Sequence, residues 1–325
     1  MDDFADAGHG SDPQTLLHPP LTPADKAPPA FGLRRVLLRV VQAVPPLQRL
    51  WEARRLRRRM RAALGYEPNL RRPQTFNEKI AWRILNDRNP LIALTTDKLA
   101  VRRYVAAKVS PDILVPLLGT WDRAEDIDWT ALPSRFVLKA SHGWNMNLLV
   151  YDKAAVDRES ALATAAGWLR HSHAAATGER GYRDIQPRLL AETMLLDEFG
   201  EIPADLKFYV FNGRMQLLRV HTGRFDNHRI TFFDRAMQPL PVNQIYDADP
   251  DWSPPPELGE AMRLAERLGA DFDFARVDLY VARGKIWFGE ITHYDGNATV
   301  AYVPRSYDRI IGDMWRLPGS AVRQT

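Results

Sequence analysis

From Ala275 to Asn297 apolar and polar residues alternate: Val277, Leu279 and Val281 are interleaved with Asp278 and Tyr280 until Arg283-Gly284-Lys285 breaks the pattern. The run IWFGEIT then resumes β-branched and aromatic character, so the stretch predicts two strands joined by a turn at Gly284. Side chains alternate faces along a strand, and a slip of one residue sends the whole set to the other side. A loop over Arg283 to Lys285 sets Asp278 opposite Glu290, with Tyr280 and Phe288 sharing their face and Thr292 further along. A turn of Arg283-Gly284 alone sends Asp278 and Glu290 to opposite faces.

Upstream the period is mostly helical. Val36 to Val44 and Leu47 to Leu64 read as helices separated by Pro45-Pro46. Thr75 with Glu78 has capping-box spacing and announces a helix through FNEKIAWRILND, buried along Ile80, Ile84 and Leu85 and stopped by Asn89-Pro90. Thr96-Asp97-Lys98 opens a further helix that ends before Pro111. ILVPLLGTW reads as a short strand, RFVLKASHG and NLLVYDK as paired strands, and Ala155 to His173 as a helix. RLLAETMLL, LKFYVFN and RMQLLRVHT follow as strands, the last two joined at Asn212-Gly213, and Pro256 to Leu268 as a helix. Helices mixed with antiparallel hairpins predict an α+β fold, and no internal repeat is visible.

Composition narrows the classes. A chain of 325 residues with 45% hydrophobic content buries a substantial core, as two lobes or one large unit. It has no cysteine, which removes disulfides, thiolate metal sites and cysteine nucleophiles. Residues 1–33 are rich in Pro, Ala, Asp and Gly and read as a disordered leader. The acidic start MDDFADAGHG lacks the apolar core of a secretory signal, and no apolar run is long enough to span a bilayer, which predicts a cytoplasmic protein. Six arginines between Arg54 and Arg61 contribute much of the formal charge of +4. No aromatic residues are interleaved with them, so nucleic acid is not the expected partner. That helix reads either as a solvated cover for a lobe or as a basic amphipathic segment touching anionic lipid, at the inner face of the membrane, or an acidic polymer.

Opposed Asp278 and Glu290 need something positive between them. A magnesium ion that also holds phosphate oxygens meets that need; two solvent-facing carboxylates are the simpler alternative. Lys139, in the apolar strand before Ser141-His142-Gly143, and Lys207, in Asp205-Leu206-Lys207-Phe208, are placed either to reach phosphates or to guard strand edges. Arg276 lies two residues before Asp278 and shares its face. Glu192 reads as an acceptor for a base amino group or ribose hydroxyl, or as an exposed strand residue.

In this order, TFNEKIAW, DRNPL, TDKLAVRRYV, LPSRFVLKASHG, IQPRLLAETML, DLKFYVFNG, FARVDLY and IWFGEIT resemble the ATP-grasp superfamily over about residues 75 to 315. The similarity is closest to its TupA-like branch, found among bacterial teichuronopeptide and other surface-polysaccharide biosynthesis proteins. The resemblance implies an α+β ATP-grasp fold in which two lobes hold ATP between them. After the leader, it implies a basic helical segment (34–74), a helical first part of the grasp fold (75–130), a smaller lobe (131–190) and a larger lobe with the metal site (191–325). It implies that Lys98, Lys139 and Lys207 approach the phosphates, with His142 and Gly143 in the loop over them. Glu192 would sit at the adenine and ribose hinge. Arg276 and Lys207 are its catalytic cations, and Asp278 and Glu290 its magnesium ligands. The activity implied is ATP- and magnesium-dependent joining of a carboxylate to an amine through an acylphosphate. A glycosyltransferase-like enzyme, a kinase on the same scaffold and a silent ATP-binding module are the alternatives.

Two departures from the superfamily pattern stand out. The loop that is normally glycine-rich reads His142-Gly143-Trp144-Asn145-Met146-Asn147, and the Glu-x-Asn metal motif reads Glu290-Ile291-Thr292. Thr292 or Asn297 is then expected to complete the coordination.

Overall fold

The structure is a computed structural model and describes residues 45–318 apart from 225. The expected leader 1–33 and the expected helix from Val36 to Val44 lie outside the described residues. Four helices come first: α1 (Pro45–Leu64), α2 (Phe76–Asn86), α3 (Pro90–Thr96) and α4 (Ala100–Lys108). The cap at Thr75 forms as predicted: its side chain accepts from the Glu78 amide at 3.2 Å, and the Glu78 carboxylate accepts from the Thr75 amide at 3.1 Å. Asn89-Pro90 does more than stop α2. The Asn89 side chain accepts from the Leu91 amide at 3.0 Å and Pro90 fills the first helical position, so the pair starts α3.

A smaller antiparallel sheet follows, in the order β1-β4-β2-β3, from β1 (Leu117–Trp121), β2 (Phe136–Ala140), β3 (Asn147–Val150) and β4 (Leu189–Thr193). Helix α5 (Arg158–Leu169) buries only Ala161 and Ala165, small residues that allow close approach to this sheet. The short α6 (His173–Thr177) follows it. The core here is Phe136, Leu138, Leu148 and Val150, with Trp129 edge-on to Phe136 at 5.3 Å between ring centres.

The larger sheet has the order β7-β6-β5-β8-β9, all antiparallel, from β5 (Asp205–Phe211), β6 (Arg214–Thr222), β7 (Arg229–Asp234), β8 (Phe274–Ala282) and β9 (Lys285–Thr292). Asn212 and Gly213 turn β5 into β6 with φ of 49° and 78°, the left-handed pair that a two-residue hairpin needs. Strand β7 has no counterpart in the sequence analysis. Helix α7 (Leu258–Gly269) lays Leu258, Ala261, Leu264, Ala265 and Leu268 against β5, β6 and β8. On α2, Phe76, Ile80 and Ile84 are buried and Leu85 only partly so. The last element of the described residues is α8 (Ser306–Asp313), beside α2. The result is an α+β fold with a separate core under each sheet.

Candidate active site

The turn between β8 and β9 is Arg283-Gly284, with φ of 53° and 70°, and Ala282 stands opposite Lys285. By alternation alone this register separates Asp278 from Glu290. The structure nevertheless pairs them, because Gly289 enters as one extra residue between the pairs Leu279–Phe288 and Asp278–Glu290. Phe288 therefore faces Leu279, and Tyr280 faces Trp287 rather than Phe288. A Cβ on residue 289 would lie 2.9 Å from the Tyr280 ring and 3.0 Å from the Asp278 carbonyl oxygen, so the bulge favours glycine. Gly289→Val is expected to displace the Asp278 backbone and weaken binding of a magnesium-complexed ATP analogue by about tenfold, the effect of about 1.4 kcal/mol. Calorimetric titration checks this.

Between the two sheets lies a cleft of about 1420 Å³, counting solvent at its mouth. Lys139 and Glu192 reach it from β2 and β4, Lys98 and Arg102 from the start of α4, and Asp205, Lys207, Asp278 and Glu290 from the larger sheet. Val115, Val137, Leu149, Leu195, Ile202 and Phe288 supply apolar wall. Glu192 has both oxygens engaged, Oε2 by Lys139 Nζ at 2.7 Å and Oε1 by Arg102 Nη1 at 3.0 Å. It thus aims two cations into the cleft. Lys98 donates to the Gly143 carbonyl and anchors the loop after β2. Burial pushes the Lys98 ammonium below its ordinary pKa, against the pull of Glu290.

That loop is built from large side chains. Trp144 packs edge-on to His173 with ring centres 5.0 Å apart, and a Cβ on Gly143 would sit 2.9 Å from His173 Nδ1. His142 does not face the cleft; its Nε2 lies 3.1 Å and 3.2 Å from the Trp168 and His171 carbonyls.

The carboxylates on the larger sheet are held by fixed cations. Lys207 Nζ lies 2.5 Å from Asp278 Oδ2 and 2.6 Å from Asp205 Oδ2, while Arg224 reaches Asp205 at 3.0 Å. Arg276 binds Asp278 through Nε at 2.7 Å and Nη2 at 2.6 Å, Glu290 at 2.9 Å and Thr292 at 3.0 Å, and it also donates to Asp295. Asp295 further accepts from Tyr209 at 2.6 Å and Arg219 at 3.1 Å. Burial, with the Asp205 charge adding to it, pushes Asp278 above the ordinary carboxylate range. Burial opposes the charge on Asp205 too, but Lys207 and Arg224 overcome it and hold that carboxyl low. Glu290 is held down to about 2, burial being outweighed by Arg276, Lys207 and Lys98.

Of the residues expected at the site, Lys98, Lys139, Gly143, Glu192, Lys207, Asp278 and Glu290 line the cleft together. His142, Arg276, Thr292 and Asn297 are not brought to it. Arg276 lies behind the cleft lining, among the carboxylates Asp278, Glu290 and Asp295 that it binds. Thr292 Oγ1 donates to Glu290 at 3.0 Å while accepting from Arg276, and Asn297 Oδ1 accepts from Arg59 at 2.7 Å. Neither is presented as a metal ligand. Arg102, Asp205 and Arg224 also line the cleft though their sequence context did not single them out; Arg102 lies four residues from Lys98, and Asp205 two residues from Lys207 on one strand face.

The donor set fits magnesium with nucleotide phosphates. Among the described residues no group of three or more acidic or imidazole side chains could hold a metal alone. A pair of hard carboxylates with phosphate oxygens is how magnesium is usually bound. Asp205 Oδ1 is buried without a hydrogen-bond partner, and Lys98, Lys139, Lys207 and Arg224 surround the space where an anion would lie.

Two antiparallel sheets closing on a cation-lined cleft, with paired carboxylates on the larger one, define an ATP-grasp protein. The chain belongs to the TupA-like ATP-grasp family, whose model matches residues 78–316. Solved structures with a similar fold include D-alanine–D-alanine ligase from Bacillus anthracis complexed with ATP, 16% identical over 68% of this chain and 63% of that one, with a TM-score of 0.41. The ADP complex of N5-carboxyaminoimidazole ribonucleotide synthetase is 11% identical over 67% of this chain and 50% of that one, with a TM-score of 0.40. The ATP-grasp ligase PsnB, with a phosphomimetic precursor variant, Mg and ADP, is 13% identical over 73% and 67%, with a TM-score of 0.36. The chain thus spans between half and about two thirds of their lengths. No curated protein matches it.

Proposed function

We propose that the protein is an ATP- and magnesium-dependent carboxylate–amine ligase that works through an acylphosphate in assembling a bacterial surface polysaccharide or glycopeptide, on the cytoplasmic side. The observation that carries this reading is the pairing of Asp278 with Glu290 across a cleft from Lys98 and Lys139. ATP and magnesium would supply the phosphoryl group that activates the carboxylate and the charge that steadies it. Lys98, Lys139 and Lys207 would draw in and orient the phosphates, with Arg102 and Glu192 holding Lys139 in place. Arg276 keeps Asp278 and Glu290 in position. The apolar wall around Val137, Leu149 and Phe288 would take the base and exclude water from it. The surface-glycan setting, with a uronic acid or an amino acid joined to it as the carboxylate, is the one the sequence resemblance implies.

Titration with a non-hydrolysable ATP analogue tests the reading. Magnesium-dependent binding with no response to a UDP-sugar is expected, followed by ADP release when a glycan carboxylate and an amine are both supplied. Binding of the UDP-sugar alone would overturn it in favour of a glycosyltransferase, and a stable phosphorylated product would in favour of a kinase. A silent ATP-binding module is the second reading. The Lys207 and Arg276 contacts that close Asp278 and the anchored Trp144 loop favour it, and it predicts analogue binding without ADP under every acceptor.

A further inference from the structure

Helix α1 has two unlike faces. On the inner one Leu56 and Met60 are buried, and Arg55 reaches the Ala175 and Ala176 carbonyls at 3.4 Å and 3.0 Å. Arg59 reaches the Thr177 carbonyl at 3.1 Å and Asn297 Oδ1 at 2.7 Å, and Glu52 pairs with Arg180 at 2.8 Å. These contacts fix the rotation of the helix on the body.

On the outer face Leu47, Leu50 and Trp51 are 44%, 47% and 36% exposed. At spacings of three and four residues they run in line with exposed Arg54, Arg58 and Arg61. Arg57 and Arg61 share Glu67 at 3.3 Å and 3.7 Å, whereas among the described residues Arg54 and Arg58 pair with no carboxylate. Positive charge is therefore in local surplus. The sequence ahead of the helix, LRRVLLRVVQAV, continues the same combination of arginine with aliphatic residues. Among the described residues no helix is long and apolar enough to cross a membrane.

We propose that this outer face docks on an anionic lipid bilayer, with Leu47, Leu50 and Trp51 entering the headgroup region and Arg54 and Arg58 meeting lipid phosphates. An acidic polymer would satisfy the arginines but leave three large apolar side chains in water; a headgroup layer takes both. Because Arg59 ties α1 to Asn297, just beyond β9, docking here holds the cleft at a set distance from the surface. The inference is independent of the ligase reading.

Co-sedimentation of the full-length protein with vesicles tests it. Binding to phosphatidylcholine–phosphatidylglycerol vesicles, little to phosphatidylcholine alone, and weakening with salt are expected. Arg54→Gln with Arg58→Gln should lower partitioning about 25-fold, at about fivefold per arginine. Leu50→Ser with Trp51→Ser should lower it by at least about tenfold, and brominated lipid should quench a fluorescence component that Trp51→Phe removes. Equal binding to neutral vesicles, no binding to either, or insensitivity to both double variants would overturn the proposal. Retention on heparin that ignores the apolar pair would make the partner an acidic polymer. Vesicle binding seen only after removal of residues 1–44 would make that segment the occupant of the face.

Discussion

Glu290→Gln is expected to remove magnesium-dependent ATP turnover, by about 100-fold or more, at a modest cost in melting temperature. Asp278→Asn should lose turnover and stability together. The two carboxylates face each other across one strand pair but stand in different surroundings. The Glu290 side chain is 37% exposed and Gln keeps an oxygen for the Arg276 and Thr292 contacts at 2.9 Å and 3.0 Å, so the fold keeps these contacts and loses only the charge its cations favour. What it loses is a hard anionic ligand, and with it several kcal/mol of charge stabilisation at a phosphoryl group. Asp278 is 1% exposed and sits between Lys207 and Arg276. Neutralising it leaves Lys207 and Arg276 buried with one counter-charge fewer. ADP release and a thermal melt on each variant check this. Wild-type turnover by a folded Glu290→Gln protein would remove Glu290 from the site.

The same pair shows what a sequence can and cannot convey. Local devices were legible because their spacing is their mechanism: the Thr75 and Glu78 cap, the Asn212-Gly213 turn, and the strands carrying Lys139 and Lys207 all form as predicted. The hairpin register was not, because alternation carries no mark for a residue that drops out of the ladder. Gly289 is that residue, and its only trace in sequence is a glycine inside a strand. Strand β7 escaped because Ile230, Thr231, Phe232 and Phe233 are buried on both faces, which erases the period of two. Asn297 and His142 stood close in sequence to cleft residues, yet Arg59 takes one and the Trp168 and His171 carbonyls hold the other. Nearness along the chain does not give side-chain direction.

Arg276→Met should be the most destabilising single change at the site, by about 3–5 kcal/mol, lowering the melting temperature by about 6–10 °C at roughly 2 °C per kcal/mol. No other side chain there satisfies as many acids: Asp278, Glu290 and Asp295 all accept from this one guanidinium. Acid sensitivity gives the sign of the effect. Burial raises the Glu290 pKa, and Arg276 heads the charges that bring it from 4.5 down to about 2. On Asp295 burial is overcome by Arg219 and then Arg276, which hold it well below the usual carboxylate range. A folded-state pKa depressed in this way contributes stability above the unfolded value, near pH 4.5, that is lost as pH falls towards 2. With the guanidinium gone, burial acts with less opposition and the folded pKa values rise. A carboxyl raised above its unfolded value destabilises at neutral pH and recovers as it protonates. The gap between wild type and Arg276→Met should therefore be widest near pH 7 and narrow below about pH 4.5. Thermal melts across that range measure it. An equal gap at both ends would mean that Arg276 acts through packing and not through the charge it places among the three carboxylates.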